Sequence, residues 1–395
     1  MPEDVLRFPE AATVKGTALA HVDFVLSGVV MTLLGPLLPL LSGRWALNDT
    51  QAGYLFTAQY IASIGGMLLS TVMLARRGYR ITMITGLVLM AVGIALLAQA
   101  SRTLGFTSIG IFGVGFGLTT PTVNLFVAHS HPTRSASALN LVNSSWGVGA
   151  MAAPLLIAIA ERFHRVPGFL FGLAVALATL AVVLTRVLFA VDGIARKVEG
   201  GAAAPKSRPR LFWLLIVPVM FFIYVGTENA VGGWVAAYAR RIETDSQTFW
   251  TVVPAFFWGA LLLGRALAPL ILRRIRETRL AAAGVGLGAA GVVVLLAAKT
   301  PAWVACGATV AGMGLSSVYP IKISLLPRWF GGLADRMGGV VFSLGNLGGA
   351  TLPWVVGLVS TRSGSLRTGF LVPLLGTLVL LIFYLANFFP RHTPF

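Results

Sequence analysis

The sequence predicts an all-α polytopic membrane protein with 12 transmembrane helices in two pseudo-symmetric six-helix bundles. Three observations predict it. Of 395 residues, 56% are hydrophobic and 11% charged, whereas an ordinary soluble domain carries about 25% charged residues. Twelve stretches reach the roughly 20 predominantly apolar residues that a helical crossing needs. The two halves of the chain also repeat one another at a nearly fixed offset.

Helices are expected near residues 14–42, 50–75, 81–101, 104–128, 137–160 and 167–190, then 211–239, 249–272, 280–298, 302–326, 337–360 and 369–389. Residues 1–13 mix Glu3, Asp4, Arg7 and Glu10, and the apolar run that follows is too long for the core of a cleaved leader. The first helix is therefore expected to be an uncleaved anchor. The longest polar stretch, residues 191–210, is rich in Gly, Ala, Pro and basic residues and reads as a flexible linker. It divides the chain into a first bundle over residues 1–190 and a second over residues 211–395.

The net charge of +17 is a matter of topology. With these helices, 20 of the 30 Lys and Arg residues fall on the side of the termini and the linker, and 9 on the other. Arg265, inside a helix, completes the 30. Basic residues in short loops stay on the cytoplasmic side, so both termini are expected inside, in a bacterial inner membrane, with no nucleic-acid partner. The single Cys306 excludes a disulfide scaffold, and the five His show no ligand spacing. No cofactor, metal or catalytic group is expected, and the chain is expected not to be an enzyme.

The repeat is carried by particular residues. Gly115-Phe-Gly-Leu-Thr-Thr-Pro121 in helix 4 corresponds to Gly314-Leu-Ser-Ser-Val-Tyr-Pro320 in helix 10, with both glycines and both prolines 199 positions apart. Gly149 and Pro154 in helix 5 match Gly348 and Pro353 in helix 11 at the same offset. The basic loop Arg76-Arg77-Gly-Tyr-Arg80 has a counterpart in Arg273-Arg274-Ile-Arg276. An even number of helices per half gives both halves the same topology, a parallel repeat. Small residues at these positions are expected mainly to let helices approach closely.

Twelve helices, a six-plus-six division and a basic loop between helices 2 and 3 resemble the major facilitator superfamily. Of that loop's signature, Arg76, Gly78 and Arg80 are present, with Thr71 and Ala75 at its Gly and Asp positions. Within the superfamily, the residues resemble the fucose and glucose/galactose permease group of sugar symporters. Tyr224-Val-Gly-Thr-Glu228 followed by Trp234 and Tyr238 is similar to that group's helix 7 motif. Leu139-Asn140-Leu-Val-Asn143 with Gly149 and Pro154 is similar to its helix 5 motif. Asn124 and Tyr319-Pro320 also match. Gly35 and Thr120 stand where the fucose permease has carboxylates, so its coupling residues are not carried over. The resemblance implies a solute site between the halves and alternating access.

Of 13 acidic residues, only Asp23 and Glu228 lie well inside the expected helices. A charge at mid-bilayer costs about 2.5–3.5 kcal/mol on insertion scales, so each is a functional candidate. Burial disfavours the charged form of a carboxyl, which suits a group that gains and loses a proton during transport. Glu228 is assigned to ion coupling and solute binding, and Asp23 to ion coupling. Asp23 and Arg265 lie at similar depths and Lys322 nearer the same surface, so a pair of Asp23 with Arg265 or with Lys322 suggests a cytoplasmic gate. A sugar needs amides for its hydroxyls; Gln59, Asn124, Asn140, Asn143, Asn229 and Asn346 supply them. Trp234 offers an aromatic plane.

The expected function is secondary active transport of a small polar solute, a monosaccharide foremost, by H⁺ or Na⁺ symport through a monomer in the lipid bilayer. One alternative is a proton-coupled exporter of lipophilic drugs, for which Gly147-Val-Gly149 and Pro154 are a partial match. A membrane enzyme or transport-dead sensor is the other. His129 and His131 lie where an enzyme would place catalytic groups, but no carboxylate or nucleophile accompanies them.

Overall fold

A computed structural model of the chain describes residues 10–131, 134–186, 211–243, 249–330 and 334–386. The 191–210 segment lies outside them. The described residues form helices throughout: α1 (Glu10–Thr32), α2 (Leu34–Arg44), α3 (Asp49–Gln99), α4 (Arg102–Ser130), α5 (Ser135–Arg162), α6 (Val166–Arg186) and α7 (Leu211–Ile242). There follow α8 (Val253–Ile271), α9 (Glu277–Ala297), α10 (Pro301–Leu315), α11 (Val318–Phe330), α12 (Ala334–Ser363), α13 (Leu366–Gly369) and α14 (Leu371–Leu385).

Among the described residues, eleven helical stretches are long and apolar enough to cross a membrane. One of them, α3, has 51 residues, about 77 Å at 1.5 Å per residue, far more than the roughly 30 Å hydrocarbon core. Gly78 interrupts it with φ 80° and ψ −179°, a conformation that costs little only without a Cβ. The two segments on either side of Gly78 each suffice for a crossing, which accounts for the 12 expected. Leu68, Val175, Leu375 and Ile382 stand exposed, as lipid-facing residues do.

Two expected crossings carry a local irregularity while the backbone stays helical, at Leu33 (φ −56°, ψ −38°) and at Ser316 (φ −54°, ψ −47°). In the first crossing it falls between α1 and α2, and in the tenth between α10 and α11. Pro320 lacks the N–H that would continue the ladder there. The Tyr224 hydroxyl donates to the Leu315 carbonyl at 2.9 Å beside this irregularity, and Ser316 Oγ donates to Met313 O at 2.6 Å.

The chain forms two compact units that cut across the two sequence halves. The first comprises Met1–Met31, Ala62–Gly149 and Arg165–Ala202; the second comprises Thr32–Ile61, Ala150–His164 and Ala203–Phe395. In the first, small residues seat both segments of α3 on α4. A Cβ on Gly117 would stand 2.1 Å from Ser63 O, and one on Gly115 would stand 2.5 Å from Gly86 O. In the second, a Cβ on Gly314 would stand 2.2 Å from Gly288 N. The glycines that mark the repeat thus lie where helix backbones touch, as the close-packing interpretation expects.

Candidate substrate and ion-coupling site

The second unit gathers most of the expected site residues. Glu228 lies midway along α7, whose apolar flanks bury it. Arg265 on α8 places a guanidinium nitrogen 3.7 Å from Glu228 Oε1, an ion pair too long for a hydrogen bond. Arg265 Nε is buried without a hydrogen-bond partner. The guanidinium lies 5.9 Å from the centre of the Tyr319 ring. Tyr319 in turn stacks on Tyr224 at 5.9 Å, one turn before Glu228 on α7. Pro320 sets the local irregularity that presents Tyr319 on α11 to this cluster.

Asn229, next to Glu228, is held at both ends of its amide. Its Nδ2 donates to Val225 O at 2.8 Å, and its Oδ1 accepts a short hydrogen bond from the Tyr60 hydroxyl of α3. Gln59, the residue before Tyr60, is buried in the same unit. Asn346 on α12 is half-buried and donates to Phe342 O at 3.0 Å. Trp234 is buried to 1% exposure and its Nε1 donates to Pro353 O at 2.8 Å, so its indole is part of the packing between α7 and α12.

Lys322 is fully buried, with Nζ 2.8 Å from Met220 O and 4.9 Å from the centre of the Tyr224 ring. Arg265 and Lys322 thus make the contacts just described within the second unit. Asp23 belongs to the first unit. It is fully buried, Oδ1 accepts from Ser27 Oγ at 3.1 Å, and Oδ2 has no hydrogen-bond partner. Asn124 and Asn143 of the first unit form a pair: Asn143 Nδ2 donates to Asn124 Oδ1 at 3.0 Å and to Leu139 O at 2.8 Å. Asn140 is exposed one turn earlier on α5.

Sequence reasoning did not single out Tyr60. A tyrosine in a transmembrane helix reads equally well as an interfacial anchor, and only the fold brings it to Asn229. The pairing of Arg265 with Glu228 was equally hidden, because depth along two helices says nothing about which faces meet. Among the described residues no group of three metal-binding side chains occurs.

A helical membrane-spanning fold with parallel internal repeats and a carboxylate–guanidinium pair inside its helices is that of a secondary transporter. The chain belongs to the Major Facilitator Superfamily, whose family model matches residues 24–321. It is an integral membrane transporter and not an enzyme. It is similar to the glucose/galactose transporter of Brucella abortus biovar 1 (strain 9-941), with 24% identity over 379 residues and 89% of each chain covered. It is also similar to the glucose/mannose transporter GlcP of Bacillus subtilis (strain 168), with 21% identity over 365 residues, 87% of this chain and 88% of the relative. Among solved structures, FucP in the outward conformation matches with a TM-score of 0.62 at 20% identity, over 96% of this chain and all of the other. The nucleoside transporter NupG matches with a TM-score of 0.71 at 13% identity, over 96% and 100%. At these identities the structures establish the shared fold.

Proposed function

We propose that this chain imports a monosaccharide together with a proton, acting as a monomer in a bacterial inner membrane with both termini in the cytoplasm. The observation that carries the reading is the 3.7 Å Glu228–Arg265 pair, whose Glu228 belongs to a helix 7 motif similar to that of sugar permeases. Two relatives named as hexose transporters support the substrate class. The 20-to-9 distribution of basic residues supports the orientation.

In the proposed cycle Glu228 is the proton carrier. Charged, it holds Arg265 nearby; protonated, it releases the guanidinium, whose unpartnered Nε then bonds a sugar hydroxyl. Proton and sugar therefore bind cooperatively. Asn229, Gln59 and Asn346 are the amides proposed for the remaining hydroxyls; the amides of the first unit, Asn124, Asn140 and Asn143, are proposed as solute-binding residues in their own right. Asp23 is a second buried carboxyl available for ion coupling, and Na⁺ is the alternative ion to be tested there.

The test begins with a thermal-shift panel of hexoses, pentoses, nucleosides and lipophilic cations on the detergent-purified protein, since a ligand that binds only the folded state raises its melting temperature. One sugar stabilising the protein more than its epimer supports the reading; a response to lipophilic cations alone replaces it with export. Uptake of that sugar into proteoliposomes follows, under imposed H⁺ or Na⁺ gradients. Glu228→Gln is expected to abolish accumulation and spare exchange. Full accumulation by that variant removes Glu228 from coupling, and loss of binding makes it a sugar ligand.

A further inference from the structure

We infer that Asp49, Arg241 and Ser360 form a latch that closes one mouth of the transport path and must open once in every cycle. Arg241, near the end of α7, donates from both terminal nitrogens to the two oxygens of Asp49 at the start of α3, at 2.9 Å for Oδ2. Ser360 of α12 donates a short hydrogen bond to the same Asp49 Oδ2. The backbone is joined as well: Thr50 N donates to Thr361 Oγ1 at 2.9 Å. Three helices are therefore tied at one carboxylate, at the end of the unit that also carries Arg44, Arg362 and Arg367.

The surface beneath the latch is shaped for parting. A Cβ on Gly357 would stand 2.1 Å from Asp49 O, one on Gly53 2.8 Å from Trp354 Cα, and one on Gly349 2.7 Å from the Tyr60 ring. Backbone and flat rings meet there, with Tyr54 stacked on Trp354 at 6.0 Å, instead of long side chains interlocking. One further hydrogen bond, Thr57 Oγ1 to Ala350 O at 2.7 Å, crosses deeper in.

The sequence repeat places Asp49 in the first half and Arg241 and Ser360 in the second, yet Asp49 belongs to the same compact unit as its partners. Alternating access in this superfamily separates the two halves at one mouth and then at the other. Contacts joining residues 32–61 to α7 and α12 are hence those that must break to open this mouth. Arg241 is half in water, with 48% of its side chain exposed, while Asp49 is at 14%. A partly exposed ion pair of this kind is strong enough to bias a two-state equilibrium and weak enough to release it. Asp49 and Arg241 act as positioning residues, and this role depends on transport alone, whatever the solute.

The test uses the full chain with Cys306, its exposed lone cysteine, replaced by Ser and Thr57→Cys introduced beneath the latch. The rate of labelling by a membrane-impermeant maleimide is measured in intact cells and inverted membranes. Asp49→Asn and Arg241→Gln are each expected to speed labelling from the Arg241 side about two- to tenfold, the range a partly exposed bidentate pair supports. The exchanged pair Asp49→Arg with Arg241→Asp is expected to restore the slow rate, which loss of packing cannot do. The double neutral variant, Asp49→Asn with Arg241→Gln, is expected to label no faster than the faster single one. Single variants labelling at the parental rate would overturn the latch. An additive double variant would do the same, even where the exchanged pair fails to reach the membrane.

Discussion

A Cβ built on Gly348 would stand 1.9 Å from the carbonyl oxygen of Phe222. Gly149, 199 positions earlier, has the same relation to Val25 O, also at 1.9 Å. The repeat therefore preserves a contact: helix 5 of the first half on helix 1, and helix 11 of the second on helix 7. Each glycine admits a carbonyl where no side chain fits.

Gly149→Ala and Gly348→Ala are expected to destabilise the protein strongly, because overpacking typically costs about 1–3 kcal/mol and here the obstacle is backbone. Gly172→Ala, with open space around its Cβ position, is expected to leave stability unchanged or raised, as Ala is the better helix former. Melting temperatures of the purified variants check this; equal effects at Gly172 and Gly348 would refute the contact argument.

Lys322 leads to a second prediction. It is buried among Met220, Phe221 and Tyr224, and neither described ion pair includes it. Replacing a buried charge by an apolar side chain of similar volume is often neutral or stabilising. Lys322→Met is therefore expected to keep or raise the melting temperature, whereas Lys322→Ala leaves a cavity and lowers it. If both variants fell equally, the ammonium group itself would be holding α11 to α7.

How much of this was legible beforehand varies by residue. Glu228 and Asp23 stood out because carboxyls inside apolar helices are rare and costly. Gly115, Gly149, Gly314 and Gly348 stood out because an offset repeats. The partner of Arg265 was not legible: depth along a helix does not say which way a side chain turns, and Arg265 turns toward Glu228. Asp49 and Arg241 gave no signal, since charged residues at helix ends are ordinary and their pairing spans 192 positions. Gly78 was visible only as part of a basic loop, and its role in dividing the 51-residue α3 came from its backbone angles.

Trp234 separates packing from binding. Its Nε1 reaches Pro353 O at 2.8 Å and its ring is buried, so Trp234→Phe loses a hydrogen bond worth about 0.5–1.5 kcal/mol net along with some volume. The expected result is a lower melting temperature with an unchanged KM for the transported sugar. A raised KM at an unchanged melting temperature would instead place the indole against the sugar.

Tyr60 and Asn229 are expected to act as one unit in solute binding. The Tyr60 hydroxyl fixes the Asn229 amide from one side and Val225 O from the other, which leaves one N–H and one lone pair for the solute. Tyr60→Phe removes the fixing bond but keeps the ring, so the fold should survive. A lost bond of about 1 kcal/mol corresponds to roughly a fivefold rise in KM. Asn229→Ala should raise KM at least as much, because it removes the amide itself. If Tyr60 acts only through Asn229, the double variant should be no worse than Asn229→Ala alone. Measured by sugar counterflow in proteoliposomes, multiplying effects would show that Tyr60 meets the sugar independently. An unchanged KM in Tyr60→Phe would show that the Asn229 amide does not face the solute.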